Sequence, residues 1–279
     1  MVGSVDHVTA VAAPEPRVGP LLKAWRERRR ISQLDLAIEA GVSARHLSFV
    51  ETGRSKPSAE MVLHLAEQLE VPLRDRNTLL LAAGYAPAFS QRPLDDPEMA
   101  SVREALNLVL AGHEPFPAAV VDRHWYLVAG NGGLGLLIEG VAPHLVADGN
   151  AMRIALHPDG MAPRIKNLAQ WRAHLLERLD RQVAASGDAE LAELRDEVAE
   201  YPHPDEPVPS SGHDAGPFND ICVPLVLDSA RGELAFVATV QTFGTALDIT
   251  VAELSIESFF PADAVTRAVI TSEGIETAT

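Results

Sequence analysis

Residues 31–58 read ISQLDLAIEAGVSARHLSFVETGRSKPS, and the spacing of caps, apolar positions and glycines in this stretch decides what lies around it. Ser32 is a good N-cap, and Asp35, three positions on, places negative charge at the positive end of the helix dipole. Leu34, Ala37 and Ile38 repeat at i, i+3 and i+4, which predicts the apolar stripe of a short helix. Gly41 breaks that helix with a left-handed residue that satisfies its trailing carbonyls. Ser43 caps a second helix, with Leu47 and Val50 inward beside Val42, and Gly53 ends it. Two helices joined through Ala40-Gly41-Val42 have the length and turn chemistry of a helix-turn-helix, and small Ala37 lets them approach closely.

Upstream, Leu21, Leu22 and Trp25 give a helix over 18–30 its apolar face. Downstream, Pro57 and Ser58 open a helix with Met61, Leu65 and Leu69 inside, and a fifth runs over 74–83 to Gly84. The expectation is an all-α module of five helices over 17–86. Residues 1–16 are small, aperiodic and proline-containing, and read as a disordered arm.

Charge singles out the same segment. The chain of 279 residues carries 23 Lys and Arg against 39 Asp and Glu, a net charge of −16, which taken whole argues against nucleic acid as a partner. Residues 17–56, however, hold nine basic and four acidic side chains, a net +5, whereas residues 91–279 sum to −17. With Leu47 and Val50 inward, Ala44, Arg45 and Ser48 share the outer face of their helix, where short polar and basic side chains suit a DNA major groove. Gln33 can reach a phosphate or a base edge. Arg54 and Lys56 follow the helix, where cations meet the sugar-phosphate backbone. Glu51, acidic on the same helix, reads as a structural partner for backbone or arginine. Hydrophobic residues make up 47% of the chain, enough for buried cores, and no apolar run reaches membrane-spanning length. The single Cys222 precludes an intramolecular disulfide, and with no secretory signal at the N-terminus the expected location is the cytoplasm.

The run RISQLDLAIEAGVSARHLSFVETGRSKPSAEMVLHLAEQLEVP resembles the Cro/C1-type helix-turn-helix of the XRE regulators over about residues 18–84. The resemblance implies that Gln33, Ser43, Ala44, Arg45 and Ser48 read or brace operator DNA, with Arg54 and Lys56 on phosphates.

After a Pro- and Asp-rich linker over 87–97, residues 98–270 read as a helix, strands over 118–123 and 125–130, long helices over 167–185 and 188–200, and a loop over 201–218. Three strand-like runs over 220–227, 233–243 and 249–259 follow, and residues 271–279 form a tail. Ala252, Leu254 and Ile256 alternate with Glu253, Ser255 and Glu257, which predicts one buried and one wet face. Two strands, helices, then three strands predict an α+β domain with a five-stranded, mainly antiparallel sheet. That order is similar to a PAS-like fold, and PFPAAVVDRHWYLVAGN, LHPDGMAPRIKNLAQWRAHLLERL and AELSIESFFPAD resemble the C-terminal domain of MmyB-like transcription regulators. The resemblance implies an apolar pocket for a small ligand, with fatty acids the leading candidates. Trp125, Asn131 and Trp171 are candidate ligand contacts, and Arg164 a candidate carboxylate anchor.

Other chemistry is weaker. Gly130-Asn131-Gly132-Gly133-Leu134-Gly135 satisfies G-x-G-x-x-G after a strand, but a dinucleotide site also needs a βαβ unit. His203, Asp205, Glu206, His213 and Asp214 lack the paired spacing of a zinc site. Cys222 reads as a small buried hydrophobe in a strand. The expected protein is a ligand-responsive, homodimeric regulator of a palindromic operator, without metal or cofactor. A dinucleotide-binding enzyme with an appended regulatory module, and an architectural DNA-binding protein, are the alternatives.

Overall fold

Three serines open three consecutive helices in the computed structural model, whose described residues are 17–202 and 222–273. After α1 (Val18–Arg28), the side chains of Ser32, Ser43 and Ser58 accept hydrogen bonds from the amides of Asp35, His46 and Met61. They cap α2 (Gln33–Glu39), α3 (Ala44–Glu51) and α4 (Ala59–Gln68), and α5 (Leu73–Ala82) completes the unit. Gly41 has φ +63°, and the following amide of Val42 returns to the Ala37 carbonyl at 2.9 Å, which closes the turn between α2 and α3. Leu22, Trp25, Leu36, Leu47, Val50 and Leu65 are buried in one core. Each such side chain contributes about 1.5–3 kcal/mol through the area it removes from water.

One stripe is misplaced by the sequence pattern. Leu34 and Ile38 are 60% and 69% exposed, and α2 buries Leu36 beside the expected Ala37. A seven-residue helix is too short for periodicity to choose between neighbouring faces, so packing chooses. The first helix is also shorter than its pattern: it ends at Arg28, and Arg30 adopts a left-handed φ of +57°.

The chain divides between Phe89 and Ser90 into two compact units. In the second, α6 (Ala100–Gly112) precedes β1 (Ala118–Val121) and β2 (Leu127–Gly130). Short helices α7 (Leu134–Ile138), α8 (Pro143–Asp148) and α9 (Ala151–Leu156) lead into the long α10 (Leu168–Ser186) and α11 (Ala189–Ala199). The chain then forms β3 (Leu225–Ser229), β4 (Gly232–Thr242), the single turn α12 (Ile249–Ala252), β5 (Ser255–Pro261) and α13 (Ala264–Glu273). The sheet order is β2-β1-β5-β4-β3, with every neighbouring pair antiparallel.

Alternation along the strands gives the sheet two covered faces. Ala118, Val120 and Ile256 pack on Leu106 and Leu110 of α6. The other face, carrying Val121, Leu225 and Phe236, lies in the larger core with Trp171, Leu175 and Leu179 of α10. The run over 249–259 is therefore not one strand with a wet face. Asp248 caps α12 by accepting from the Thr250 amide, the strand starts only at Ser255, and Glu257 is buried. Cys222 is half-buried and precedes β3 instead of lying in a strand.

Candidate DNA interface and ligand cavity

Burial of Leu47 and Val50 turns the opposite side of α3 outward, and Ser43 and Arg45 are exposed there with Ala44 and Ser48 half-buried beside them. Half-buried Phe49 organises this face: the guanidinium of Arg45 lies 5.3 Å from its ring centre and that of Arg54 5.8 Å. Both guanidinium groups are within cation–π range of this one ring, which attracts each of them through its electron-rich face. The Lys56 ammonium lies 5.1 Å from the ring centre of Tyr85, whose hydroxyl donates to the Pro57 carbonyl at 3.0 Å. Neither aromatic carries a base-reading or phosphate-binding signature in sequence, so their positioning role is visible only in the fold.

Gln33 is held from below. Its Nε2 donates to Glu51 Oε2 at 2.7 Å, and Glu51 also accepts from Arg26 Nε at 2.7 Å and Nη2 at 3.0 Å. Hydrogen bonding to this carboxylate raises the Arg26 pKa still further. Arg26 and Arg29, counted with the basic segment, do not join the outer face. Arg26 is buried, and Arg29 donates to the Leu69 and Glu70 carbonyls at the end of α4.

In the second unit, α10 presents Trp171, His174, Leu175 and Arg178 at i, i+3, i+4 and i+7, along one face toward the sheet. Between them and Ala119, Val121, Glu257 and Phe259 of the sheet is a cavity with about 760 Å³ of unfilled space, part of it continuous with solvent. Leu127, Leu137, Met152 and Ile154 add to its apolar lining, which is the usual character of a small-molecule site. The polar groups gather in one place. Arg178 donates from Nη2 and Nη1 to the two Glu257 carboxylate oxygens at 2.6 and 3.0 Å, and stacks 4.4 Å from the ring centre of Trp125. Trp125, at φ +71°, donates from Nε1 to Gln182 at 2.9 Å. Burial, with Arg178 and Arg181 nearby, pushes the His174 pKa down, which keeps the imidazole neutral at physiological pH. The Trp171 indole N–H is buried without a hydrogen-bond partner.

Trp125 and Trp171 thus both line the cavity, whereas Asn131 and Arg164 do not. Asn131 accepts from the Ala118 amide at 2.9 Å and donates to the Phe116 carbonyl at 2.8 Å and the Leu110 carbonyl at 3.2 Å, clamping α6 and the start of β1 to the end of β2. Arg164 donates to the Leu136 and Leu137 carbonyls in the last turn of α7, and its burial lowers its pKa. Sequence reasoning missed Arg178, Glu257 and His174. Arg178 left a trace as a charge one heptad from Trp171 on an otherwise apolar stripe. Glu257 left none, because strand alternation assigned it to water.

The glycine run serves packing. A Cβ on Gly133 would stand 2.6 Å from the Pro115 carbonyl oxygen and 2.7 Å from the Phe116 carbonyl carbon. The loop leads from an antiparallel strand into a five-residue helix, so it opens no βαβ unit. Among the described residues, His144, His157 and Asp159 bring ligand-type atoms within 4.8 Å of one another, with only His157 half-buried. His203, Asp205, Glu206, His213 and Asp214 lie outside the described residues.

Comparison with known families matches residues 102–272 to the MmyB-like transcription regulator ligand binding domain and residues 22–75 to a helix-turn-helix family. No curated protein matches the chain. A solved RNA-binding light-oxygen-voltage receptor is 12% identical, with 94% of this chain and 62% of that chain covered and a TM-score of 0.23. The chain therefore spans less than two thirds of that protein's length.

Proposed function

This chain belongs to the MmyB-like transcription regulators, and from that premise we propose that it binds a palindromic operator as a homodimer and releases or engages it according to the occupancy of the cavity. Regulator-type domains at both ends of the match support a binding protein in preference to an enzyme. The observation that carries the DNA half is the outer face of α3, where exposed Ser43 and Arg45 stand with half-buried Ala44 and Ser48, and Arg54 shares the Phe49 ring with Arg45. One such helix reads too few base pairs for specificity. Two copies about 34 Å apart would read a symmetric site. Gln33, positioned by Glu51, supplies an amide at the start of α2 beside that face.

The apolar cavity carries the sensing half. Its lining suits a small, mostly apolar molecule with an acyl-length chain, the class to which fatty acids belong. A ligand with different affinities for DNA-competent and incompetent dimers shifts their populations, without any need to touch DNA. Residues 17–86 are the proposed reader and 98–270 the proposed sensor, with 87–97 as linker. No described helix is long and apolar enough to cross a membrane, and a cytoplasmic regulator is the reading that fits.

Selection of duplexes from a random library with the full-length chain tests the DNA half. The expected product is a two-fold symmetric sequence with half-sites one helical turn apart, bound by two chains. Recovery of no preferred sequence, or of a site bound by one chain, overturns it. Mass spectrometry of a solvent extract of the purified protein tests the sensing half. An acyl compound at near-stoichiometric yield supports it, and a retained dinucleotide in its place overturns it.

A further inference from the structure

Three side chains of metal-binding type, none of which lines the cavity, meet on the surface of the second unit. His144 belongs to α8, and His157 and Asp159 to the turn that follows α9. His144 precedes His157 by 13 positions, a spacing that matches no paired zinc motif, and the fold unites them. The amide of Ala142 donates to the Asp159 carbonyl at 2.9 Å, which pins the start of α8 to that turn. The turn is itself tight. The Gly160 and Met161 amides return to the His157 and Ile154 carbonyls at 2.8 Å each, and a Cβ on Gly160 would stand 2.3 Å from the Ile154 oxygen. Within this frame, one ligand-type atom from each of the three side chains lies within 4.8 Å of the other two.

The His157 ring is oriented by its neighbours. It packs edge-on against Tyr201, with 5.0 Å between ring centres, and the Tyr201 hydroxyl donates to Glu197 Oε1 at 2.5 Å. Outer partners of this kind orient a metal-binding imidazole. The surroundings also favour a cation. Arg153 pairs with Asp148 at 3.0 Å and with Glu197 at 2.8 Å, so that network carries one positive and two negative charges, and Asp159 adds a further negative one. Two imidazole nitrogens and a carboxylate oxygen suit a first-row transition ion and suit Mg²⁺ or Ca²⁺ poorly. Bonds of about 2.0–2.2 Å to zinc set ligand atoms about 3.4 Å apart in a tetrahedron, so the three need to close by about 1.4 Å or less. His144 and Asp159 are exposed, and rotation of their side chains supplies that movement. Coordination through His157 Nδ1, which lies 3.9 Å from Asp159 Oδ2, replaces the exposed hydrogen bond it accepts from the Asp159 amide at 3.0 Å, and that amide passes to water.

We propose that His144, His157 and Asp159 form a binding site for a divalent transition ion of the Zn²⁺ class, with solvent completing the coordination. The ion ties α8 to the turn after α9, the helix whose Met152 and Ile154 line the cavity, and so braces that helix without entering the cavity.

The test is a zinc titration of the tag-free full-length protein, stripped with a chelator and read by competition with a chromophoric zinc indicator at neutral pH. One equivalent is expected to bind with micromolar or tighter affinity, undisturbed by a large excess of Mg²⁺. His144→Ala, at an exposed position, is expected to weaken zinc at least about tenfold, and Asp159→Asn, which keeps the shape of the side chain, about tenfold. Excess zinc is expected to raise the melting temperature of the parent and to leave that of His144→Ala unchanged. No zinc bound at about 100 μM free ion overturns the proposal. Tight binding that neither His144→Ala nor Asp159→Asn weakens overturns it as well, since the ion then sits on other side chains.

Discussion

Arg26 with Glu51 in the first unit, and Arg178 with Glu257 in the second, are the same two-bond ion pair set in different surroundings. Arg26 also donates to the Ile31 carbonyl at 2.9 Å, and Glu51 also accepts from Gln33, so both groups are enclosed by partners within a filled core. Arg178 and Glu257 lie on the cavity wall, with Trp125 stacked on the guanidinium and lining the same unfilled space. Identical chemistry therefore locks a fold where all sides are occupied, and becomes part of a recognition surface where one side is open.

Glu51→Ala is the strongest challenge to that contrast. It strands a buried guanidinium and should cost the first unit about 3–5 kcal/mol, read by urea denaturation. Replacing both partners with apolar residues, Arg26→Met and Glu51→Leu, should recover most of the loss. A single-variant cost below about 1 kcal/mol would mean the pair locks nothing. Next in size is the exposed cation of the same unit. Arg45→Ala should remove about 1–3 kcal/mol of discrimination between operator and scrambled DNA, measured by competition binding. Arg54→Ala should weaken both DNAs alike and reduce the salt slope by about one. If Arg45→Ala also weakens both alike, Arg45 is a phosphate contact.

Glu257→Gln should lower the stability of the second unit by about 1–2 kcal/mol, since glutamine keeps an acceptor for Arg178. A cost as large as that of Glu51→Ala would make the cavity pair a fold lock too, and erase the contrast. The smallest effect concerns an outer pair of the second unit. Hydrogen bonding to Arg153 holds the Glu197 carboxyl below the usual glutamate range. A depressed folded pKa gives stability that is complete above the unfolded value and fades as pH falls through the folded one. The melting temperature difference between the parent and Glu197→Gln should thus be constant from pH 8 to about 5 and shrink only below about 4.5. At a side-chain exposure of 39% the contribution should stay below about 1 kcal/mol.

Legibility differed with the range of the interaction. The serine caps and the Gly41 turn were readable because each depends on a hydrogen bond or a φ angle set within four residues. The long helix α10 was readable because nineteen residues repeat the period often enough to define a face. The buried side of α2 was not, and neither was the inward turn of Glu257, because each depends on what a distant element presents. Asn131 and Arg164 had the right chemistry for ligand contacts, but chain segments nearby in space needed their hydrogen bonds first.

By itself the sequence determined that a basic helix-turn-helix precedes an acidic α+β unit with apolar helices over a sheet, because local propensity, capping and charge are written residue by residue. Only the tertiary structure decided which charges are free. Arg26, Arg29 and Arg164 are used inside the protein, Arg45 and Arg54 are exposed beside Phe49, and Glu257 turns inward to meet an arginine 79 residues away. Charge is a property of the residue, but its availability depends on desolvation and on partners that folding brings together.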